Sequence, residues 1–143
     1  MTKLRQRRFG GPDSTVIEQG DCWATAVCMY FRFGESERNE LHRRIVLSDL
    51  ALLRSGGNPQ KEPYWWHLTQ RFLKERNVNI LTVVTTEEVL PELLYIASGP
   101  APRGFNHSTV SYGNGKLWGD PHPSDDGLVE ITEWVCRWNG DTP

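Results

Sequence analysis

The stretch "HSTVSYGNGKLWGD", residues 107–120, carries the decision about the fold. Two short β-branched and aromatic runs flank Asn114-Gly115, the dipeptide that favours a tight β-hairpin turn. A two-residue turn at that point pairs Gly113 with Lys116 and, continuing outward, Thr109 with Asp120. His107 lies two residues from Thr109 and shares its face of the strand, because side chains alternate along a strand. His107 and Asp120 then become diagonal cross-strand neighbours, close enough for their side chains to meet. A register shift of one residue would put them on opposite faces, so the juxtaposition depends on the turn. His122 falls opposite His107 by the same count. Pro121 and Pro123 flank it, however, and neither can donate to a ladder. The strand should therefore end near Asp120, with His122 in a loop.

Upstream of the hairpin the pattern is helical. Ala26, Met29, Tyr30 and Phe33 follow Cys22 at one-face spacing, predicting a helix over 22–33 that Gly34 ends. A polar helix over 36–46, a shorter one over 48–55 and an amphipathic one over 63–76 follow. In the last of these Trp65, Leu68 and Phe72 face inward, and Trp66 either joins them or forms a wall of a cleft. "VNILTVV" (78–84), "LLYIAS" (93–98) and "LVEITEWVCRW" (128–138) read as strands, with a helical turn at 87–90 and a rigid loop at 99–104. Helices first and a small, mainly antiparallel sheet second make an α+β fold. A chain of 143 residues is most simply one domain, here 1–143 with residues 1–15 as an N-terminal arm. Lys3, Arg5, Arg7 and Arg8 give that arm its charge, and a solvated, frayed end is the expectation for it.

Bulk properties narrow the function. A net charge of −2 gives no general attraction to nucleic acid or to a membrane surface. No stretch approaches the ~20 apolar residues of a membrane span, and no signal peptide is seen, which leads us to expect a cytoplasmic protein. Three cysteines without a CxxC pair argue against a disulfide framework and a cysteine-rich zinc site. Cys28 and Cys136 read as core thiols, and His42 and His67 as surface or packing residues.

Cys22 has two readings, a buried small hydrophobe or a nucleophile. Thiols attack as thiolates, and a free cysteine with a pKa of ~8.5 is mostly protonated at neutral pH. A helix N-terminus and a neighbouring imidazolium both favour the anion. Cys22 starts a helix, His107 can supply the imidazole, and Asp120 can fix its tautomer. Asp120 can equally serve as a turn-former in "GDPHP", and the two roles are compatible. Gln19 and the Cys22 backbone N–H are candidate donors to an oxyanion. Cys22, His107 and His122 have the chemistry of zinc ligands, but no close-spaced ligand pair accompanies them.

The residues "QGDCWATA" (Gln19–Ala26) resemble the nucleophile segment of papain-like cysteine peptidases, and "FNHSTVSY" (105–112) resembles the histidine strand of that family. Asp120 falls where the orienting residue is expected, and the order Cys, His, Asp matches. At this length the resemblance is to compact bacterial members similar to the C39 peptidases. "ASGPAPRGFNHSTV" and "GKLWGDPHPSDDGL" are also similar to small proteins encoded by bacteriophages and prophages. The resemblance implies a thiol hydrolase acting on an amide, peptide or isopeptide bond with Cys22, His107, Asp120 and Gln19. It implies no cofactor, and the host bacterial cytoplasm as the setting. Gln19 stands closer to the cysteine than in the larger peptidases, and the chain is short for their second lobe, so a small or exposed substrate is expected. The rival expectation is an inactive fold of the same kind that binds a host protein or small ligand.

Overall fold

The structure is a computed structural model that describes residues 4–7, 21–58, 64–78 and 80–137. Its helices are α1 (Cys22–Phe31), α2 (Glu35–Arg54) and α3 (Trp65–Glu75), and its strands are β1 (Leu81–Val84), β2 (Leu94–Pro100), β3 (Asn106–Tyr112), β4 (Leu117–Gly119) and β5 (Glu133–Arg137). The strands form one antiparallel sheet in the order β1-β5-β2-β3-β4. The fold is α+β.

Alternation along β2 and β5 divides the core into two layers. Ile96 and Val135 point to the helices, where they meet Ala26, Val27, Leu41, Phe72 and Leu73. Tyr95, Ala97, Trp134 and Cys136 point the other way, under Val89, Leu93, Leu128 and Ile131 from the connecting segments. Helix α1 lies against β3, β2 and α2. Every residue from Ala24 to Met29 is buried, so α1 is enclosed all round and not one-faced as its spacing suggests. Small residues at 24–26 allow that close fit.

Several boundaries differ from expectation for identifiable reasons. Helix α1 stops at Arg32, which takes the left-handed conformation (φ 61°), and Phe33 N–H returns to the Cys28 carbonyl in a Schellman-type closure. Gly34 instead precedes α2, with Glu37 Oε2 accepting its N–H. Helix α2 is continuous through Val46-Leu47-Ser48, because nothing in that stretch breaks a helix. Strand β2 continues through Gly99 and Pro100, read as loop from the sequence, since Gly99 pairs with His107 and Pro100 with Asn106.

The hairpin is the most instructive difference. Tyr112 N–H donates to the Lys116 carbonyl at 2.9 Å and Gly115 N–H to the Tyr112 carbonyl at 2.8 Å. The loop thus has three residues, Gly113, Asn114 and Gly115, and only Gly115 takes a positive φ (91°). Ser111 then opposes Leu117, one residue out of the two-residue register. A bulge at Trp118 inserts one extra residue on β4, and Val110 opposes Gly119. Beyond the bulge the count is again the one that sets Asp120 beside the His107 face.

Candidate active site

Cys22 is the first residue of α1 and is half-buried. The preceding Asp21 makes no side-chain hydrogen bond to the first-turn amides, and no acidic residue lies within that turn. Its carboxylate turns back instead to accept the Arg7 N–H at 3.0 Å. The N-terminus of α1, with its partial positive charge, favours an anion at Cys22.

His107 is the second residue of β3 and is 5% exposed, and Asp120, just past β4, is 1% exposed. His107 Nε2 stands 2.6 Å from Asp120 Oδ1. The same oxygen accepts the His122 N–H at 2.9 Å, and Oδ2 accepts the Gly127 N–H at 2.9 Å. Asp120 therefore holds the histidine ring and closes its own turn at once. Burial alone would raise the Asp120 pKa, but His107 and the two backbone N–H donors outweigh it and hold the carboxyl below its ordinary value. Burial likewise opposes charge on His107. The hydrogen bonds and charges of Asp120 and Cys22 prevail, lifting the imidazole to about 9. With Nε2 occupied by Asp120, Nδ1 is the nitrogen left for the Cys22 thiol.

The other thiols differ in kind. Cys28 is fully enclosed and burial pushes it up to about 12, while burial also raises Cys136. His122 lies in the loop after Asp120, its Nδ1 within 2.9 Å of Ser124 Oγ, and its ring centroid is 6.4 Å from that of His107. Among the described residues no group of three or more His, Cys, Asp or Glu side chains is placed to hold a metal ion, so the grouping of Cys22, His107 and His122 does not form such a cluster. Gln19 lies outside the described residues. Trp23, the residue after Cys22, meets Trp65 edge-on at 4.8 Å and Trp66 at 6.2 Å, and its Nε1–H donates to Thr69 Oγ1 at 2.9 Å. These rings are only partly buried and form an aromatic flank one residue from Cys22.

Two arginines outside the expected catalytic set, Arg5 and Arg38, matter here. Arg5, expected to belong to a frayed arm, donates from Nη1 to the carbonyls of Asp120 (2.8 Å) and His122 (3.1 Å) and pairs with Asp125 at 2.6 Å. Gln6 N–H donates to the Pro121 carbonyl at 2.9 Å. The described part of the arm, residues 4–7, is therefore held against the site, while Lys3 and Arg8 lie outside the described residues. Arg38 is completely buried on α2, with Nε 3.7 Å from Asp21 Oδ2 and Nη1 donating to the Arg5 carbonyl. No local signal marks Arg38, which sits among the polar residues of "ESERNELHRR". A hollow of about 320 Å³ lined by Arg7, Asp21, Asn39, His42, Arg43, Val46 and Leu47 adjoins this region. It contains neither Cys22 nor His107 and is not a cleft over the thiol. Comparison with family models, curated proteins and solved structures gives no match.

Proposed function

We propose that the protein is a papain-like thiol hydrolase that cleaves an amide or related acyl bond. Cys22 attacks the substrate carbonyl as a thiolate whose proton His107 already carries as imidazolium. The imidazolium then protonates the leaving amine, and water, deprotonated by the same ring, releases the acyl group from Cys22. Asp120 keeps the ring oriented and stabilises its charged form. The first-turn amides of α1, the Cys22 N–H among them, face the oxyanion as it develops. One observation carries this reading, the single imidazole shared between a buried carboxylate and a thiol at a helix N-terminus. Peptides, isopeptides and small amides are all substrates of this chemistry, and the aromatic flank of Trp23 and Trp65 suits an apolar acyl portion. The resemblance to phage-encoded proteins supports action in the cytoplasm of an infected bacterium.

The deciding experiment is the pH dependence of Cys22 alkylation by iodoacetamide, followed by peptide mass spectrometry in wild type and His107→Ala. In a coupled pair the substitution moves the profile to higher pH and slows the neutral-pH reaction by roughly tenfold or more. Identical profiles in the two proteins would refute the hydrolase and leave a binding protein as the reading to pursue.

A further inference from the structure

The two halves of the candidate site come from distant parts of the chain and different layers of the fold. Cys22 starts an enclosed helix, whereas His107 lies on β3, against which that helix packs, and Asp120 lies just past β4. Between them runs the short segment Arg5-Gln6-Arg7. At one end the Arg5 guanidinium holds the Asp120 and His122 carbonyls and the Asp125 carboxylate. In the middle the Gln6 N–H bonds the Pro121 carbonyl, and at the other end the Arg7 N–H bonds Asp21, the residue before Cys22. Buried Arg38 fixes the segment from behind by donating to the Arg5 carbonyl while pairing with Asp21.

We infer that residues 5–7 are a positioning strap, with Arg5 as its anchor, that fixes the Asp120 loop relative to the first turn of α1 and so sets the fit of the imidazole between carboxylate and thiol. The inference rests on the hydrolase reading for its significance, but the geometry it asserts exists whether or not the thiol is reactive. Arg5 touches no reacting atom. It acts through two loop carbonyls, and a planar guanidinium can hold both of them and Asp125 together, which a lysine ammonium does less well.

The signs of two rival effects are opposite, which makes the strap testable. His107 is faced by Asp120 and His122 from the loop after β4 and by Cys22 from α1. If Arg5 acted only as a nearby cation, its removal would ease protonation and raise the His107 titration midpoint. If it positions the loop, its removal loosens the 2.6 Å contact and lowers that midpoint.

The experiment is an NMR titration of the His107 ring in wild type, Arg5→Ala, Arg5→Lys and Arg103→Ala, with Cys22 alkylation measured in parallel. Arg103 is the comparison because it contacts Ser124 and Asp126 of the same loop without joining the strap. Arg5→Ala is expected to lower the His107 midpoint by roughly one pH unit, Arg5→Lys by less, and Arg103→Ala not at all. A midpoint that rises or stays put in Arg5→Ala overturns the strap, as does an equal fall in Arg103→Ala. Should Arg5→Ala fail to fold, Arg5→Lys decides alone, because it keeps the charge and any fall then reports geometry. An unchanged Arg5→Lys midpoint in that case refutes the inference. A flat alkylation comparison between wild type and His107→Ala would sink the hydrolase without touching the strap, since the ring titration does not require a reactive thiol.

Discussion

His107 Nε2 and Asp120 Oδ1 meet at 2.6 Å across thirteen positions of sequence, in a site almost closed to solvent. Ionised together, the two stabilise each other, and buried apart each would resist its charge. Stability should therefore track their protonation. The folded pKa of His107, about 9, lies above the ordinary 6.5, so its contribution is complete below pH 6.5 and is lost as pH rises through 9. Asp120 is shifted down, so its contribution is present above its ordinary value and disappears as acid takes the pH below it. Urea denaturation at closely spaced pH values should show a plateau at about pH 5 to 6 and a fall of on the order of 3 kcal/mol between pH 6.5 and 9.5. That alkaline fall should be much smaller in His107→Gln.

Asp120→Asn tests the charge separately from the shape. Asparagine can accept only one of the two loop amides, His122 N–H at one carboxylate position or Gly127 N–H at the other, and it offers no anion to the ring. The His107 titration midpoint should drop below 9, and the protein should lose roughly 3 kcal/mol in urea melts at pH 7. A His107 midpoint equal to that of wild type would mean that the carboxylate is only a turn-former.

The fold class and the His107–Asp120 meeting were legible because both rest on local periodicity. Yet the pair was reached through a turn that does not exist as read. A two-residue Asn-Gly turn requires positive φ at both positions, and here only Gly115 takes one. The three-residue loop slips the register by one, and the bulge at Trp118 slips it back. No residue pattern announces that bulge. Arg5 and Arg38 were illegible for a different reason. Their partners lie as far as 117 and 33 residues away, and an arginine bound for the interior looks like any solvated one until the chain has folded.

Gly99 is opposite His107 in the β2–β3 register, and a side chain there has no room. A Cβ built at this position would sit 2.0 Å from the Glu130 carbonyl oxygen, inside any tolerable contact. Because that neighbour is backbone, Gly99→Ala must displace the segment around Glu130 whose neighbours, Val129 and Thr132, bond to the Pro100 and Ser98 carbonyls. A loss of about 2 kcal/mol or more is expected in chemical denaturation. Gly104→Ala is the matched comparison. Its Cβ meets nothing within 4 Å, and the φ of 96° alone should cost about 1 kcal/mol. Equal losses in the two would remove the steric argument.

Arg38 and Asp21 form a fully buried ion pair directly under the residue that carries the thiol, with side chains 0% and 3% exposed. Arg38→Met fills much of the same volume but leaves the Asp21 carboxylate and the Arg5 carbonyl without the guanidinium. Removing one partner of a buried ion pair typically costs about 3–5 kcal/mol, so urea melts should show a loss of that order. The site should feel it as well. Asp21 immediately precedes Cys22, and a carboxylate no longer neutralised there repels a thiolate. Alkylation of Cys22 should slow at neutral pH even under conditions where the variant is folded. Adding Asp21→Asn removes the carboxylate charge, so the double variant should be more stable than Arg38→Met alone and should regain part of the alkylation rate. A double variant no better than the single one in either measurement would show that Arg38 acts through the Arg5 carbonyl, and not by balancing Asp21.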